Sequence, residues 1–444
     1  MPRRHRGRQA VLGLRAPQSG ESRVPKRIDV QRHEWSALVV SFLYFFCVLA
    51  AYYIIRPVRD QLSAAVGSTS LPIFYAATFA ATLAMTPLFG ALVARYPRRR
   101  FVPAVYVFFI ACLIGFIPLF QAQDAIGARL LGSVFFVWVS VFNLFVVAVF
   151  WSFMADIFDA EQAHRLFPVI ALGGAAGAIT GPALTRGVVH LIDVPGLLML
   201  SAALLGFALL CIAHLLAWSQ RHPVAGDARR DQRVIGGSFL AGAVQTLRSP
   251  LLRRIALLML LGDCVGTVIY ALQADYSQVT YPTREARIAF SSGVDFASNG
   301  LQVVLQMLLT RELMIRRGPP LALALDGLIK AVMLAGLAVF GGGWIVAAAI
   351  VTRASAYGVF KPAADSLYTQ VDAETRYKAK NFIDTTVWRF GDLAITSTLN
   401  VLRTFGVSLV GFASLTAIAA AAASWVGWRI TRTPGLHEPR RDPR

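Results

Sequence analysis

Charged residues are scarce in this chain of 444 residues. Lys, Arg, Asp and Glu make up 15% of it and hydrophobic residues 56%, whereas soluble globular proteins are about 25% charged. Side chains that face lipid must be apolar, and a backbone inside lipid must satisfy its own hydrogen bonds. The shortage of charge therefore predicts an all-α polytopic membrane protein and argues against a set of soluble domains.

Other functional signals are also missing from the sequence. The four cysteines lie inside apolar runs without metal-ligand spacing, so we interpret them as packing residues that form no disulfide and no metal site. There is no G-x-x-x-x-G-K-S/T loop, which argues against an ATPase. His190 and His214 are isolated, which argues against a membrane-embedded enzyme, and nothing indicates a cofactor.

Acidic residues are outnumbered, with 24 Asp and Glu against 43 Lys and Arg and a formal net charge of +19. Basic proteins often bind nucleic acid, but here the excess lies in tails and connections such as "PRRHRGR", "RYPRRR" and "EPRRDPR". That distribution follows the positive-inside rule. It predicts a multi-pass protein of the inner membrane with both termini in the cytoplasm and no nucleic-acid partner, and we expect a monomer.

Apolar runs of about 20 residues, the length that crosses a bilayer, recur along the whole chain. The ninth and tenth are separated by "FGGGW" alone, and eleven spans would put the two tails on opposite sides. The twelve predicted spans are 36–62, 70–94, 101–121, 127–155, 166–190, 195–218, 251–279, 288–312, 319–340, 342–361, 378–404 and 407–429.

The longest polar connection divides these spans six and six. Basic turns follow the second and the eighth span, "GALVARYPRRRF" and "LLTRELMIRRGPP", which indicates two related halves. The predicted organisation is a basic cytoplasmic tail at 1–34, a first half at 35–218, a central cytoplasmic loop at 219–250, a second half at 251–429 and a basic cytoplasmic tail at 430–444.

Three charged residues close the first apolar run, in "YYIIRPVRDQL" at 52–62. On a helix Arg56 and Asp60 can pair, whereas the neighbours Arg59 and Asp60 should not face each other. One interpretation ends the span at Ile55 and leaves the charges at the membrane interface. The other continues the helix through "LSAAVG" and turns the charges towards a cavity, where ionisable residues mark a functional site.

Further polar residues stand inside later spans. Asp156 ends the fourth span beside Trp151, either as an interfacial acid or as a site residue. Asp326 and Lys330, four residues apart in the ninth, predict a structural ion pair. The seventh span carries one polar stripe, which indicates a cavity wall: Asp263, Thr267, Tyr270 and Gln273.

The tenth span presents Arg353, Tyr357 and Lys361 on one helical stripe without a local acid, which predicts available positive charge. Small residues in "ALGGAAGAITGPAL", 171–184, predict close helix packing rather than a phosphate loop. Two more pairs at helical spacing lie near or in the eleventh span: Lys380 with Asp384, and Arg389 with Asp392.

The layout resembles the major facilitator superfamily, which has twelve spans, a central cytoplasmic loop and a basic turn after the second span of each half. The first turn is similar to that superfamily's G-x-L-x-D-R-x-G-R-R loop. Gly90, Leu92, Arg95 and Arg98–Arg100 match it, while Ala94 and Pro97 depart from it. The resemblance implies a cavity lined by the first, fourth, seventh and tenth spans.

Three blocks resemble the nucleotide antiporter (ATP/ADP translocase) family: "YYIIRPVRDQL", "FWSFMADIFDAEQAHRLFPVIALGGAAG" and "FKPAADSLYTQVDAETRYKAKNFID". The resemblance places Arg59 where the family has an important lysine, and Asp156 where it has an acid. Asp392 stands where the family has a lysine. Kinship would imply a nucleotide as one plausible solute.

These observations predict a secondary transporter that works by alternating access on an anionic organic solute, such as a nucleotide or a phosphorylated metabolite. Exchange, or proton coupling through Asp263 or Asp60, would drive it. The alternative is a non-transporting membrane sensor or scaffold that keeps the fold. The predicted solute-binding residues are Arg56, Arg59, Asp60, Asp156, Asp263, Tyr270, Arg353, Tyr357, Lys361, Lys380, Asp384, Arg389 and Asp392.

Overall fold

The computed structural model describes residues 30–222, 239–371 and 373–430. This part of the chain is built from helices and contains no strand. Most of the two predicted tails, 1–29 and 431–444, and part of the predicted central loop lie outside the described residues, so those predictions are not tested.

The first half, defined here as α1 to α7, consists of long helices joined by short turns. Such turns make successive helices antiparallel. The helices are α1 (Trp35–Val66), α2 (Leu71–Arg95), α3 (Arg98–Gln121), the short α4 (Gln123–Ile126), α5 (Ala128–Ile157), α6 (Ala160–Val188) and α7 (Val194–Arg221).

The second half, defined as α8 to α17, contains three helices that a π-helical segment continues: Gln306–Thr310, Ala356–Phe360 and Ile383–Val387. Each segment widens the turn by one residue and so changes which side chains share a face. The helices are α8 (Phe239–Arg248), α9 (Pro250–Thr280), α10 (Arg284–Leu305), α11 (Arg311–Arg316), α12 (Pro319–Phe340), α13 (Ile345–Ser355), α14 (Lys361–Leu367), α15 (Ala373–Phe382), α16 (Trp388–Thr404) and α17 (Leu409–Ile430).

Ten helical segments among the described residues are long and apolar enough to cross a membrane. Each overlaps one of the predicted spans, and a break at Gly341, whose φ is +77°, separates the ninth from the tenth. The predicted spans 288–312 and 378–404 are not among the ten because α10 and α16 carry several polar residues. Twelve spans therefore remain a prediction.

The glycines of α6 let it pack directly against α1. A Cβ at Gly173 would lie 2.3 Å from the carbonyl oxygen of Phe42, and one at Gly177 would lie 2.3 Å from that of Phe46. Side chains at these positions would force the two backbones apart. The prediction that 171–184 serves close helix packing is confirmed.

Two ends of the bundle are used as references below. The Gly67 end is where α1 ends, and the Glu34 end is where α1 begins. Near the Gly67 end the two halves share an apolar core, in which Phe74 and Phe136 of the first half pack with Ile269 and Leu272 of the second. This shared core joins the halves at the Gly67 end and leaves a cavity deeper in the bundle.

Candidate functional site: a charged cavity between the halves

A cavity of about 430 Å³ lies between the two halves. Its walls come from α1, α2 and α5 of the first half and from α9, α10, α12, α13 and α16 of the second, so the helices expected from the superfamily layout all take part. Charged side chains from both halves reach it: Arg56, Arg59, Asp263, Lys330, Arg353, Arg389 and Asp392.

The first charged group of the sequence lies inside the bundle. Helix α1 continues to Val66, and the side chains of Arg56, Arg59 and Asp60 are only 14%, 12% and 6% exposed. The interpretation that ended the span at Ile55 is wrong, because the helix carries these charges past Pro57 without a break.

Three arginines and two aspartates form what we call the arginine cluster: Arg56, Arg59 and Arg353 with Asp60 and Asp295. Arg59 donates from Nε and Nη2 to Asp60 Oδ1 at 3.0 and 2.7 Å. Arg353 donates to Asp295, and Arg56 Nε lies 3.6 Å from Asp295 Oδ2 and 3.9 Å from Asp60 Oδ2. Three cations share two carboxylates, so the cluster carries one formal positive charge in excess.

The pairing of Arg59 with Asp60 corrects the expectation that adjacent residues on a helix cannot face each other. The rule holds for the direction of the Cβ atoms, but the arginine side chain is long enough to fold back along the helix. The predicted pair of Arg56 and Asp60 is present as a longer contact at 3.9 Å. Asp60 itself lies behind the cavity wall.

The cluster also ties the two halves together. The Tyr270 hydroxyl of α9 donates to Asp60 Oδ1 of α1 at 2.9 Å, and Arg56 reaches Asp295 of α10. Nearby, Asn299 of α10 donates to the carbonyl oxygen of Ala178 in α6 at 2.7 Å. Any movement of the halves at this level must rearrange these contacts.

A second charged group lies on the second half. Thr267 donates to Asp392 Oδ1 at 2.8 Å, and Arg389 lies 3.3 Å from Asp392 Oδ2, as the sequence spacing predicted. Asp263 lines the cavity beside this pair, and its Oδ2 is buried without a hydrogen-bond partner among the described residues. Asp263 and Tyr270 are seven residues apart on α9, a rise of about 10 Å.

Asp326 and Lys330 form the predicted ion pair, with Nζ 2.8 Å from Oδ2 and both side chains 3% exposed. Lys330 also lines the cavity, and its Nζ lies 4.6 Å from the Phe360 ring centroid. The lysine therefore takes part in the cavity wall as well as in the packing of α12.

Lys361 departs from its prediction. It was expected to share a stripe with Arg353 and Tyr357 and to lack an acid, but the π-helical segment before it changes the register. Its Nζ lies 3.0 Å from Asp384 Oδ1 and 3.3 Å from Asp365 Oδ1. Arg353 also has an acidic partner, Asp295, so the predicted surplus of unpaired cations on the tenth span is wrong.

The structure divides the thirteen predicted site residues into three groups. Eight line the cavity, and Asp60 lies directly behind its wall. Asp156, Lys361, Lys380 and Asp384 do not line it; Asp156 lies in the last turn of α5. The eight lining residues are Arg56, Arg59, Asp263, Tyr270, Arg353, Tyr357, Arg389 and Asp392.

Several lining residues were not among the predicted site residues. The pair Ser140 and Asn143 could have been found, since both are polar and three residues apart in the apolar fourth span. The aromatic residues gave no such signal, because tyrosines are common in any apolar helix. The missed residues include Tyr52, Tyr53, Tyr75, Ser140, Asn143, Asn299, Gln302 and Lys330.

Beyond the arginine cluster a polar network joins the halves at the Gly67 end. Asp275 of α9 accepts from Ser68 N at 3.0 Å and from Ser68 Oγ at 2.8 Å. Arg403 of α16 donates to Asp275 Oδ2 at 2.6 Å and to Ser68 Oγ at 2.5 Å. Asn400 donates to the carbonyl oxygen of Thr69 at 2.8 Å. We call these five residues the Gly67-end network.

The fold, with long helices around a charged cavity between two halves, is similar to that of several solved structures. The chain is similar to the nucleoside transporter NupG (TM-score 0.58, 14% identity, 90% of this chain and 98% of that chain). It is also similar to a bacterial homologue of the iron transporter ferroportin in an inward-facing state (TM-score 0.62, 14% identity, 91% and 100%).

A third similar structure is a POT family transporter in complex with a thioalcohol-conjugated peptide (TM-score 0.62, 13% identity, 90% of this chain and 97% of that chain). No family model matches the chain, and no curated protein matches it in sequence. At these identities the likeness shows the all-α, major-facilitator-like fold. The finer resemblance to nucleotide antiporters remains a prediction.

Proposed function

We propose that this chain is a secondary transporter that moves an anionic organic solute by alternating access between its two halves. The fold supports the proposal, since the similar structures are named as a nucleoside transporter, a homologue of an iron transporter and a POT family transporter. The cavity supports it as well. Its volume of about 430 Å³ is within the range of small-molecule sites.

The excess charge of the arginine cluster is the observation that carries the proposal. Two carboxylates cannot neutralise Arg56, Arg59 and Arg353, and burial makes the remaining positive charge costly unless an anion joins it. Guanidinium groups present parallel N–H donors that match carboxylate and phosphate oxygens. A phosphate or carboxylate group of the solute would therefore bind beside Arg59.

The rest of the cavity narrows the class of solute. The other cations that line the cavity, Lys330 and Arg389, each have an aspartate partner. Asp263 adds a carboxylate about 10 Å along the α9 axis from Tyr270, which contacts the arginine cluster. A solute with an anionic group at one end and hydrogen-bond donors at the other fits this arrangement. Nucleotides and phosphorylated metabolites are of this kind.

The proposal also covers the membrane location of the protein and the energy source of transport. We propose an inner-membrane protein with both termini in the cytoplasm, which acts as a monomer. Exchange of one solute for another, or coupling to a proton, would drive transport in the absence of an ATPase loop.

Uptake into proteoliposomes tests the proposal. Labelled ATP, ADP and a panel of phosphorylated metabolites would be offered to wild type and to Arg59→Ala. We expect uptake of at least one solute, and a reduction of at least tenfold by the substitution, because removing one partner of a buried charged contact costs about 2–5 kcal/mol. Arg59→Lys, which keeps the charge, should retain part of the activity.

Arg129→Ala is the matched control for uptake, since Arg129 is exposed and does not line the cavity. Equal loss in both variants would contradict the assigned role of Arg59. If folded wild-type protein took up no solute of the panel, the anion proposal would fail and a non-transporting sensor or scaffold would become the better account.

Proton coupling is tested at Asp263. The charged groups of the second half that line the cavity with it are Asp392 and Arg389 on α16, Lys330 on α12 and Arg353 on α13. If Asp263 carries the coupled proton, Asp263→Asn should abolish the acceleration of uptake by an imposed pH gradient while solute exchange at equal pH continues. An acceleration equal to that of wild type would exclude Asp263 as the coupling residue and favour exchange.

A further inference from the structure

A second cavity, of about 520 Å³, opens between α6 of the first half and α10 and α13 of the second. It lies near the Gly67 end, since it includes the last turns of α6 and the beginnings of α10 and α13. Most of its wall is apolar and comes from Ala, Val, Ile and Phe residues, with Phe290 stacked on Tyr281 at 4.8 Å between ring centroids. None of these residues lines the central charged cavity.

Two basic side chains stand at this cleft. Arg186 lies in the last turn of α6 and His190 in the turn that follows it, and both are exposed. Among the described residues no hydrogen bond or ion pair is found for Arg186. The cleft thus combines an apolar floor with an available guanidinium group.

The guanidinium group of Arg186 lies against a glycine of α10. A Cβ at Gly293 would lie 2.7 Å from Arg186 Nη1, so a larger residue would push the end of this flexible side chain aside. The absence of a side chain at Gly293 leaves room for Arg186 of the first half to lie against a helix of the second.

We propose that this cleft binds the headgroup and the upper acyl chain of an anionic phospholipid. The position fits, because the ends of membrane-spanning helices lie at the level of the headgroups, where a guanidinium group can bind a lipid phosphate. The lipid phosphate would bind Arg186, with His190 close by, and an acyl chain would cover Phe290, Val294 and Ile350. Free phosphate would bind the arginine but leave the apolar floor uncovered.

Because the cleft has walls from both halves, a bound lipid would contact both and favour the arrangement that forms the cleft. The inference does not depend on which solute the central cavity accepts, and its test needs no transport measurement.

Retention of lipid by the purified full-length protein tests the proposal. Native mass spectrometry would follow the binding of phosphatidylglycerol and of phosphatidylcholine to wild type, Arg186→Gln, Gly293→Ala and Arg129→Gln. We expect wild type to prefer phosphatidylglycerol and Arg186→Gln to bind it about fivefold more weakly, the effect of one cation near a membrane surface. Gly293→Ala should weaken binding while it keeps the arginine.

Arg129→Gln is the control, because Arg129 is an exposed cation at the same end but outside the cleft. Binding that is unchanged in Arg186→Gln, or weakened equally in Arg129→Gln, would overturn the proposal. Inorganic phosphate that displaces phosphatidylglycerol at millimolar concentration would overturn it in favour of a free-phosphate site.

Discussion

The two ends of the bundle use charged residues in different ways. At the Gly67 end, Asp275 and Arg403 of the second half bind Ser68 of the first. At the Glu34 end, Arg165 donates to Glu34 at 3.0 and 3.1 Å, and both residues belong to the first half. Lys361 and Asp384, also near the Glu34 end, both belong to the second half.

This difference separates bonds that depend on the arrangement of the halves from bonds that do not. A contact within one half persists when the halves rock as rigid bodies, whereas the Gly67-end network must break before that end can open. The Glu34 and Lys361 contacts should therefore affect stability, and the Gly67-end network should affect the balance between conformations.

The largest effect is expected at Glu34, whose side chain is 1% exposed. Glu34→Gln removes the charge that Arg165, Gln162 and the Gln31 N–H bind, and hydrogen bonds to charged groups contribute about 1.5–3 kcal/mol. We expect the variant to be less stable by about 2 kcal/mol at pH 7 in thermal unfolding of the detergent-solubilised protein. Glu161→Gln is the matched control, because Glu161 lies 3.9 Å from Arg165 but is 83% exposed.

The effect of Glu34 should depend on pH in a defined direction. Burial alone would raise the pKa of Glu34, but the hydrogen bonds from Arg165, Gln31 and Gln162 lower it below its ordinary value. Its stabilisation is therefore present above the unfolded-state pKa of about 4.3 and is lost as the pH falls through the lower, folded-state pKa. The difference between wild type and Glu34→Gln should shrink on acidification; a constant difference would contradict the charge-based account.

A smaller effect of another kind is expected at the Gly67 end. Arg403→Ala removes the donor to Asp275 and Ser68. Because the Asp275 side chain is 36% exposed, we expect the free-energy difference between conformations to change by only about 1.4 kcal/mol, which is a tenfold shift in their ratio. Spin labels at Leu191 and Phe405, which are exposed on opposite halves near this end, would report a longer distance in the variant.

Arg287→Ala controls for the loss of an arginine at the same end. Its guanidinium binds the carbonyl oxygens of Tyr281 and Pro282, which lie in its own half. The Leu191–Phe405 distance should stay as in wild type for this variant and for Glu34→Gln. A lengthening in Glu34→Gln as large as in Arg403→Ala would remove the distinction between the two ends.

The sequence predicts those parts of the structure that follow from one helix at a time. The stripe of Asp263 to Gln273 and the Asp326–Lys330 pair depend only on helical spacing, and both are present. The glycines of 171–184 that contact α1 lie on one face of α6, so helical spacing also predicts them. Periodicity and apolar length are therefore sufficient for the long helices and for part of the cavity wall.

The errors arise where a second element decides the outcome. The partner of Arg353 comes from α10, and one partner of Lys361 comes from beyond α15 in the π-helical segment Ile383–Val387. The contact between Asp275 and Arg403 joins residues 128 positions apart. No local pattern contains such pairs, since they depend on how whole helices pack. For that reason, a side chain that the sequence predicts to be an unpaired charge can have an ion-pair partner in the fold.

The smallest effect is expected at Lys380, which was predicted to bind solute. It pairs with Asp365 and lies 3.7 Å from Asp384, but Lys361 contacts both acids as well, and Lys380 is 36% exposed. Lys380→Gln should change stability by less than about 0.5 kcal/mol and leave the KM for uptake unchanged, since the residue does not line the cavity. A rise in KM as large as that of Arg59→Ala would place Lys380 in the solute path and extend the site towards the Glu34 end.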